Sequence, residues 1–181
     1  MRLVVVDTET GGLDPSRHPI LTLGAVAWQD GEIGESVEWK LYAPPQFCDP
    51  QALRVNGIDI EQHNQEAIRP DEAAQALLRF GRRYSDGTRI RLAGHNIVGF
   101  DAGFLRALYG PSDFWRYFHH RSIDTMTMLP FLWLAGQGRD IGKLSDACDA
   151  FGIELTDAHT ALGDALATAR LLTVLVERMR G

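Results

Sequence analysis

Two carboxylates, Asp7 and Glu9, lie two residues apart after a short apolar run near the N-terminus. The run, residues 3–6, contains three valines and predicts a buried strand. Residues two apart on a strand point to the same face, so both carboxylates would project together. A hard divalent cation, which prefers oxygen ligands, would relieve their repulsion. The alternative for this pair is two solvated acids at the end of a strand.

A third carboxylate, Asp101, borders the apolar face of a helix predicted over residues 97–108. It stands beside Phe100 and three residues before Phe104. An ionised carboxylate in such a place is costly unless a charge or a donor compensates it. A metal ion would do this, and so would an arginine or the start of the helix. The sequence leaves these alternatives open.

His159 and Asp164 lie five residues apart at the predicted start of a final helix. Side chains on a helix lean toward its N-terminus, so Asp164 would tilt back toward His159. The imidazole would then stand one water away from a cation held by Asp164, which is the position of a general base. A helix cap or a surface group is the alternative for a histidine at this place.

The elements that would position these residues alternate in the order typical of a mixed sheet. Strands are predicted over residues 3–6, 20–28, 33–42, 89–93 and 122–123. Helices are predicted over residues 51–55, 60–66, 70–84 and 97–108, after Asp124 as an N-cap, and over about twenty residues at the C-terminal end. The pair Asp30-Gly31 predicts a hairpin between the second and third strands. Hairpin-linked strands followed by alternating helices and strands predict an α/β fold with a mixed sheet flanked by helices.

Composition limits the class of protein. The 181 residues fit one domain, residues 1–181, and their 45% hydrophobic content is enough for a core. The net charge of −6 opposes a polyanionic partner, unless the carboxylates hold cations that reverse the local field. Cys48 and Cys148 lie far apart, which favours a reducing cytoplasm. No apolar run approaches the length of a membrane span.

Three motifs follow one another along the chain: Asp-x-Glu, His-Asn-x-x-x-Phe-Asp and His-x-x-x-x-Asp. Together they resemble the DEDDh family of 3′–5′ exonucleases, the relatives of the bacterial proofreading subunit, ribonuclease T and oligoribonuclease, over about residues 3–175. The resemblance implies a ribonuclease H-like fold with a five-stranded mixed sheet and helices on both sides. It implies that two Mg²⁺ or Mn²⁺ ions are held by Asp7, Glu9, Asp101 and Asp164, with Asp7 shared. His159 would deprotonate the attacking water.

The resemblance also implies a substrate surface, formed by Thr10, Leu13, Asn56, His95, Asn96 and Phe100. Thr10 and Leu13 would border the terminal nucleotide, and Asn56 would lie near its 3′ end. Thr160 stands where a sister subgroup has a catalytic tyrosine, which favours the histidine subgroup. Gly11 replaces the second threonine of the common Asp-x-Glu-Thr-Thr-Gly pattern. We expect this change to affect preference for the terminal nucleotide rather than catalysis.

The sequence therefore predicts an exonuclease that releases nucleoside 5′-monophosphates from single-stranded or frayed 3′ ends of DNA or RNA. Two other functions stay open: a proofreading partner of a DNA polymerase, and an inactive nucleic-acid-binding module. All five chemical residues are present, which argues against the inactive module. The chain ends soon after the final helix, so we expect a stand-alone exonuclease rather than a subunit tethered by a long tail. Homodimer formation is also left open.

Overall fold

The computed structural model describes residues 1–87, 89–157 and 159–180. Within these residues, five strands form one sheet in the order β3-β2-β1-β4-β5. The strands are β1 Arg2–Thr10, β2 Ile20–Gln29, β3 Glu32–Lys40, β4 Leu92–Gly94 and β5 Ile123–Asp124. The first three are antiparallel neighbours, whereas β4 runs parallel to β1 and β5 parallel to β4. The predicted five-stranded mixed sheet is confirmed.

Helices fill the connections between and after the strands. In the described part of the chain they are α1 Pro50–Asn56, α2 Ile60–Glu66, α3 Pro70–Arg83, α4 Asp101–Tyr109, α5 Pro111–Tyr117, α6 Thr125–Leu134, α7 Leu144–Phe151 and α8 Ala161–Arg180. The side chains of Asp49 and Asp59 accept backbone hydrogen bonds at the starts of α1 and α2. Asp124 accepts one from Met126 at the start of α6, as predicted for an N-cap. None of the helices described is long and apolar enough to cross a membrane.

Successive side chains of β1 point to opposite faces of the sheet and therefore pack in two different cores. Val4 and Val6 pack in a core with bulky residues of α3 and α4, including Phe80. Leu3 and Val5 pack in a second core with alanines of α8. The C-terminal part of β1, which carries the first two carboxylates, therefore lies between two helical layers.

Three local predictions were wrong or incomplete. The helix predicted over residues 97–108 begins only at Asp101, because Asn96 has φ +61° and accepts backbone hydrogen bonds from Gly99 and Phe100 in a turn. The fourth strand is Leu92–Gly94 rather than residues 89–93. Helices α5 and α7 were not predicted; they have seven and eight residues, and such short helices depend on tertiary packing.

Candidate active site

Three carboxylates converge where β1 meets the start of α8. One oxygen each from Asp7, Glu9 and Asp164 lies within 4.8 Å of the other two. Asp7 and Glu9 share the face of β1 that α8 covers, as the two-residue period requires. Asp164 lies in the first turn of α8. The fold thus joins the first and last sequence motifs in one acidic cluster.

Asp101 approaches this cluster from the opposite face of the sheet. It is the first residue of α4, and only 3% of it is exposed. Its Oδ1 accepts a hydrogen bond of 2.7 Å from the hydroxyl of Thr8, which lies between Asp7 and Glu9 on β1. Burial is the largest cause that raises the pKa of Asp7, followed by the charge of Asp101 and then that of Asp164. Asp101 is therefore close to Asp7, although it is not one of the three residues within 4.8 Å.

A glycine in β2 allows the start of α8 to lie directly on the sheet. Gly24 pairs with Asp7 on one side and with Glu38 on the other. A Cβ atom at position 24 would lie 2.3 Å from the carbonyl oxygen of Ala161. Beyond the glycine, Oε1 of Glu38 accepts a hydrogen bond of 3.0 Å from the amide of Leu162. The first turn of α8, which carries one of the clustered carboxylates, is thus held over Gly24.

Burial and mutual repulsion raise the pKa of these carboxyl groups. Burial raises the pKa of Glu9 to about 7, and the charges of Asp164 and Asp101 add to this effect. Burial also raises the pKa of Asp101 to about 7, although the hydrogen bond from Thr8 acts in the opposite direction. For Asp164 burial raises the pKa, while the nearby His159 lowers it. A divalent cation would offset this repulsion, and carboxylate oxygens are its preferred donors, so the residues fit a metal centre.

His159 lies in the segment before α8 and not on the helix. Its φ is +65°, and α8 begins at Ala161. The helical geometry predicted for His159 and Asp164 is therefore wrong, because a left-handed residue does not continue a right-handed helix. The backbone amide of His159 instead donates to the carboxylate of Asp164. Together with Glu9, His159 lines a cavity of about 300 Å³.

Four of the residues implied as substrate contacts lie near this cavity or on exposed loops. Asn56 lines the cavity, and its Nδ2 donates to the carbonyl of Thr10 at 3.0 Å. The buried Thr10 hydroxyl donates to the carbonyl of Gly12 at 2.7 Å, so it is engaged within the protein. Leu13 is 83% exposed, and Asn96 is exposed as well.

The other two implied contacts, His95 and Phe100, are held by internal interactions. His95 lies 2.9 Å from the hydroxyl of Thr125 through Nδ1 and 3.1 Å from the carbonyl of Gly142 through Nε2. Phe100 packs on Phe104 with ring centroids 5.0 Å apart. Both side chains are therefore held by contacts within the protein.

Sequence reasoning missed three residues that place the carboxylates: Thr8, Gly24 and Glu38. A signal existed for Gly24, because a glycine inside an apolar strand often marks a close backbone approach. Thr8 and Glu38 bond to partners that are 93 and 124 residues away. No local pattern could have paired them.

Nearly the whole chain resembles known exonucleases. Residues 4–172 match the exonuclease family RNase_T. A ribonuclease T from Histophilus somni (strain 129Pt) is 29% identical over an alignment 196 residues long, which covers 98% of this chain and 84% of that protein.

Solved structures of exonuclease I share the fold. The zinc-bound complex of Escherichia coli exonuclease I with single-stranded DNA has a TM-score of 0.85 at 19% identity, over 99% of this chain and 41% of that one. An exonuclease I from Methylocaldum szegediense has a TM-score of 0.81 at 22% identity, over 99% and 41% of the two chains. This chain therefore spans well under half the length of those proteins, and the likeness to them concerns the fold. The family match over residues 4–172 shows that the chain belongs to the exonuclease family, as a metal-dependent 3′–5′ exonuclease.

Proposed function

We propose that four carboxylates hold two divalent cations, Mg²⁺ with Mn²⁺ as a substitute: Asp7, Glu9, Asp101 and Asp164. The supporting observation is the convergence of three carboxylates, Asp7, Glu9 and Asp164, within 4.8 Å. The charge of the fourth, Asp101, is the second-largest cause, after burial, that raises the pKa of Asp7. When bound, two such ions stabilise the attacking and leaving oxygens of an in-line phosphodiester displacement. Asp7, on which the charges of the other three all act, would be the ligand shared by both ions.

His159 is the general base in this proposal. This role is supported by the position of His159, which lines the same cavity as Glu9. The imidazole would take a proton from the attacking water. The water oxygen forms a bond to phosphorus, and the bond from phosphorus to the 3′-oxygen of the preceding nucleotide breaks. That oxygen takes up a proton from solvent and leaves as the new 3′ end, and His159 returns its proton to solvent. The product is a nucleoside 5′-monophosphate.

The substrate we propose is a single-stranded or frayed 3′ end of DNA or RNA. The relatives support both sugars, since one is a ribonuclease T and another was solved with single-stranded DNA. Thr10 and Leu13 would border the terminal nucleotide, and Asn56, which donates to the carbonyl of Thr10, would lie near the 3′ end. A paired terminal base would first have to unstack, at a cost of a few kcal/mol, so single strands should be cut faster than blunt duplexes. Association with a polymerase and homodimer formation stay predictions.

One assay tests this function. Single-stranded DNA and RNA of matched sequence, each labelled at the 5′ end, are incubated with the protein and Mg²⁺. We expect a ladder that shortens from the 3′ end, loss of cleavage on chelation of the metal, and a difference in rate that identifies the preferred sugar. A circular single strand of the same composition is the control, because it has no end. Efficient cleavage of the circle would refute an exonuclease.

A further inference from the structure

Thr8 makes the only side-chain contact described for the Asp101 carboxylate, and this contact crosses from a strand to a helix. We propose that Thr8 is a positioning residue, which orients Asp101 so that one carboxylate oxygen faces the metal centre. This inference rests on the proposed role of Asp101 as a metal ligand. Thr8 itself does not touch a metal or the substrate in this proposal.

The direction of the Thr8 side chain supports this role. Thr8 lies between Asp7 and Glu9 on β1, so its side chain points to the other face of the sheet, toward α4. Its hydroxyl is 2.7 Å from Oδ1 of Asp101, and the contact is buried. Thr8 is 6% exposed and Asp101 is 3% exposed, so water cannot readily replace either partner. Thr8, which lies between Asp7 and Glu9 on the strand, thus bonds to a third carboxylate, Asp101, on the helix at the other face of the sheet.

The start of α4 has no side-chain cap. Phe100, at the N-cap of α4, provides no side-chain hydrogen bond to the helix. Backbone hydrogen bonds of Asp101 and Thr8 also act on the Asp101 carboxylate, and one side-chain contact from outside α4 adds to them. Thr8 supplies that contact from β1, whose register with β2 is continuous at this point through the pairing of Thr8 with Leu23.

The hydrogen bond also distinguishes the two oxygens of Asp101. A threonine hydroxyl carries a single proton, and here it is directed at Oδ1. This bond limits rotation of the carboxylate, so its loss would let Asp101 turn away from the other acidic residues. Partners that orient a ligand in this way commonly change metal affinity or activity by about 10–100-fold when they are removed.

The test compares Thr8→Val, which keeps the shape and loses the hydroxyl, with Thr8→Ser, which keeps the hydroxyl. Binding of Mn²⁺ is followed by electron paramagnetic resonance without substrate, and the cleavage rate is measured at saturating metal. We expect Thr8→Val to bind Mn²⁺ about 10–100-fold more weakly and Thr8→Ser to stay within a few-fold of the parent. A merely structural threonine would predict the reverse order, because serine leaves a cavity where valine does not. Parental Mn²⁺ affinity in Thr8→Val, or equal loss in both variants, would overturn the proposal.

Two further variants separate this inference from the proposed function. Asp101→Asn should weaken Mn²⁺ binding, and adding Thr8→Val to it should cause little further loss, since the two residues act through one contact. If Asp101→Asn binds Mn²⁺ like the parent, the ligand assignment fails. If Asp101→Asn is impaired and Thr8→Val is not, only the role of Thr8 fails. Should Thr8→Val not fold, Thr8→Ala, judged by the same Mn²⁺ titration, takes its place.

Discussion

The two faces of the sheet bring their carboxylates to the active site in different ways. On the α8 face the buried residues from the helix include two alanines, Ala165 and Ala169, and Gly24 allows the backbone of the helix to touch the sheet. On the α3 and α4 face the packed residues are bulky, including Phe80 and Phe104. Small residues allow close contact between backbones, whereas large ones keep a helix at a distance from the strands.

This difference explains why the two helical carboxylates are held by different contacts. Asp164 is placed by its helix, because the first turn of α8 lies on the sheet next to Asp7. Asp101 belongs to the layer that contributes Phe104 to the core, and its carboxylate accepts a side-chain hydrogen bond from Thr8. A change in the spacing between α8 and the sheet should therefore disturb mainly the position of Asp164. Loss of the Thr8 hydroxyl should disturb mainly the position of Asp101.

The largest effect is expected for Asp7→Ala, because we propose Asp7 as the ligand that both ions share. We expect a loss of rate greater than the ~10²–10⁴-fold typical of losing a general base. The fold should survive, and the thermal stability of the metal-free protein should rise, since one member of a repelling cluster is gone. The measurement is cleavage at saturating Mg²⁺ together with a thermal melt. Asp113→Ala, at an exposed position on α5, is the control. Activity of Asp7→Ala within a few-fold of the parent would refute the assignment.

The next effect concerns the α8 side alone. His159→Ala should lose about 10²–10⁴-fold in rate, as expected for a general base, and retain most of its metal affinity. At saturating metal the pH profile of the rate should differ between parent and variant, because the variant lacks the general base. Saturation matters because protonation of the carboxylates also weakens metal binding at low pH. His120→Ala, at an exposed residue that stacks on His119, is the control. An unchanged pH profile would mean that another group activates the water.

A third experiment changes the spacing between α8 and the sheet. The new methyl group in Gly24→Ala would meet the carbonyl of Ala161 at 2.3 Å, whereas in Gly34→Ala the nearest atom is Cβ of Ala27 at 3.5 Å. We expect Gly24→Ala to lower the free energy of unfolding by about 1–3 kcal/mol and to reduce activity, because the start of α8 must move. Gly34→Ala should stay near the parent in both respects. Denaturant melts and rates that coincide for the two variants would contradict the close approach.

The smallest effect is on the pH dependence of stability without metal. Burial raises the pKa of Asp101 to about 7 in the folded protein, against about 4 for an unperturbed aspartate. The folded state therefore holds this proton more tightly, so stability is fully present below about pH 4 and is lost as the pH rises through about 7. We expect a shallower decline for Asp101→Asn, measured by thermal melts from pH 4 to 8, and a recovery of the parent with Mg²⁺ above pH 7. Parallel curves for parent and variant would argue against a buried, proton-binding Asp101.

The sequence by itself determined the elements whose signals repeat over neighbouring residues. The final helix was predicted at about twenty residues and is Ala161–Arg180, twenty residues long. The shared face of Asp7 and Glu9 follows from the two-residue period of a strand. A mixed sheet flanked by helices follows from the hairpin links and the alternation of later elements, whereas its five-stranded form is what the family resemblance implied. These features depend on backbone geometry that acts within a few residues.

Only the tertiary structure decided how the separate motifs meet. The bonds from Thr8 to Asp101 and from Leu162 to Glu38 join residues 93 and 124 positions apart. The position of His159 before α8, at φ +65°, likewise differs from the helical geometry that its spacing predicted. Such contacts depend on which layers pack together and how closely, and side-chain size across the sheet sets that distance. Local periodicity carries no information about partners on another layer, so the final geometry of the carboxylates could not be derived from the motifs alone.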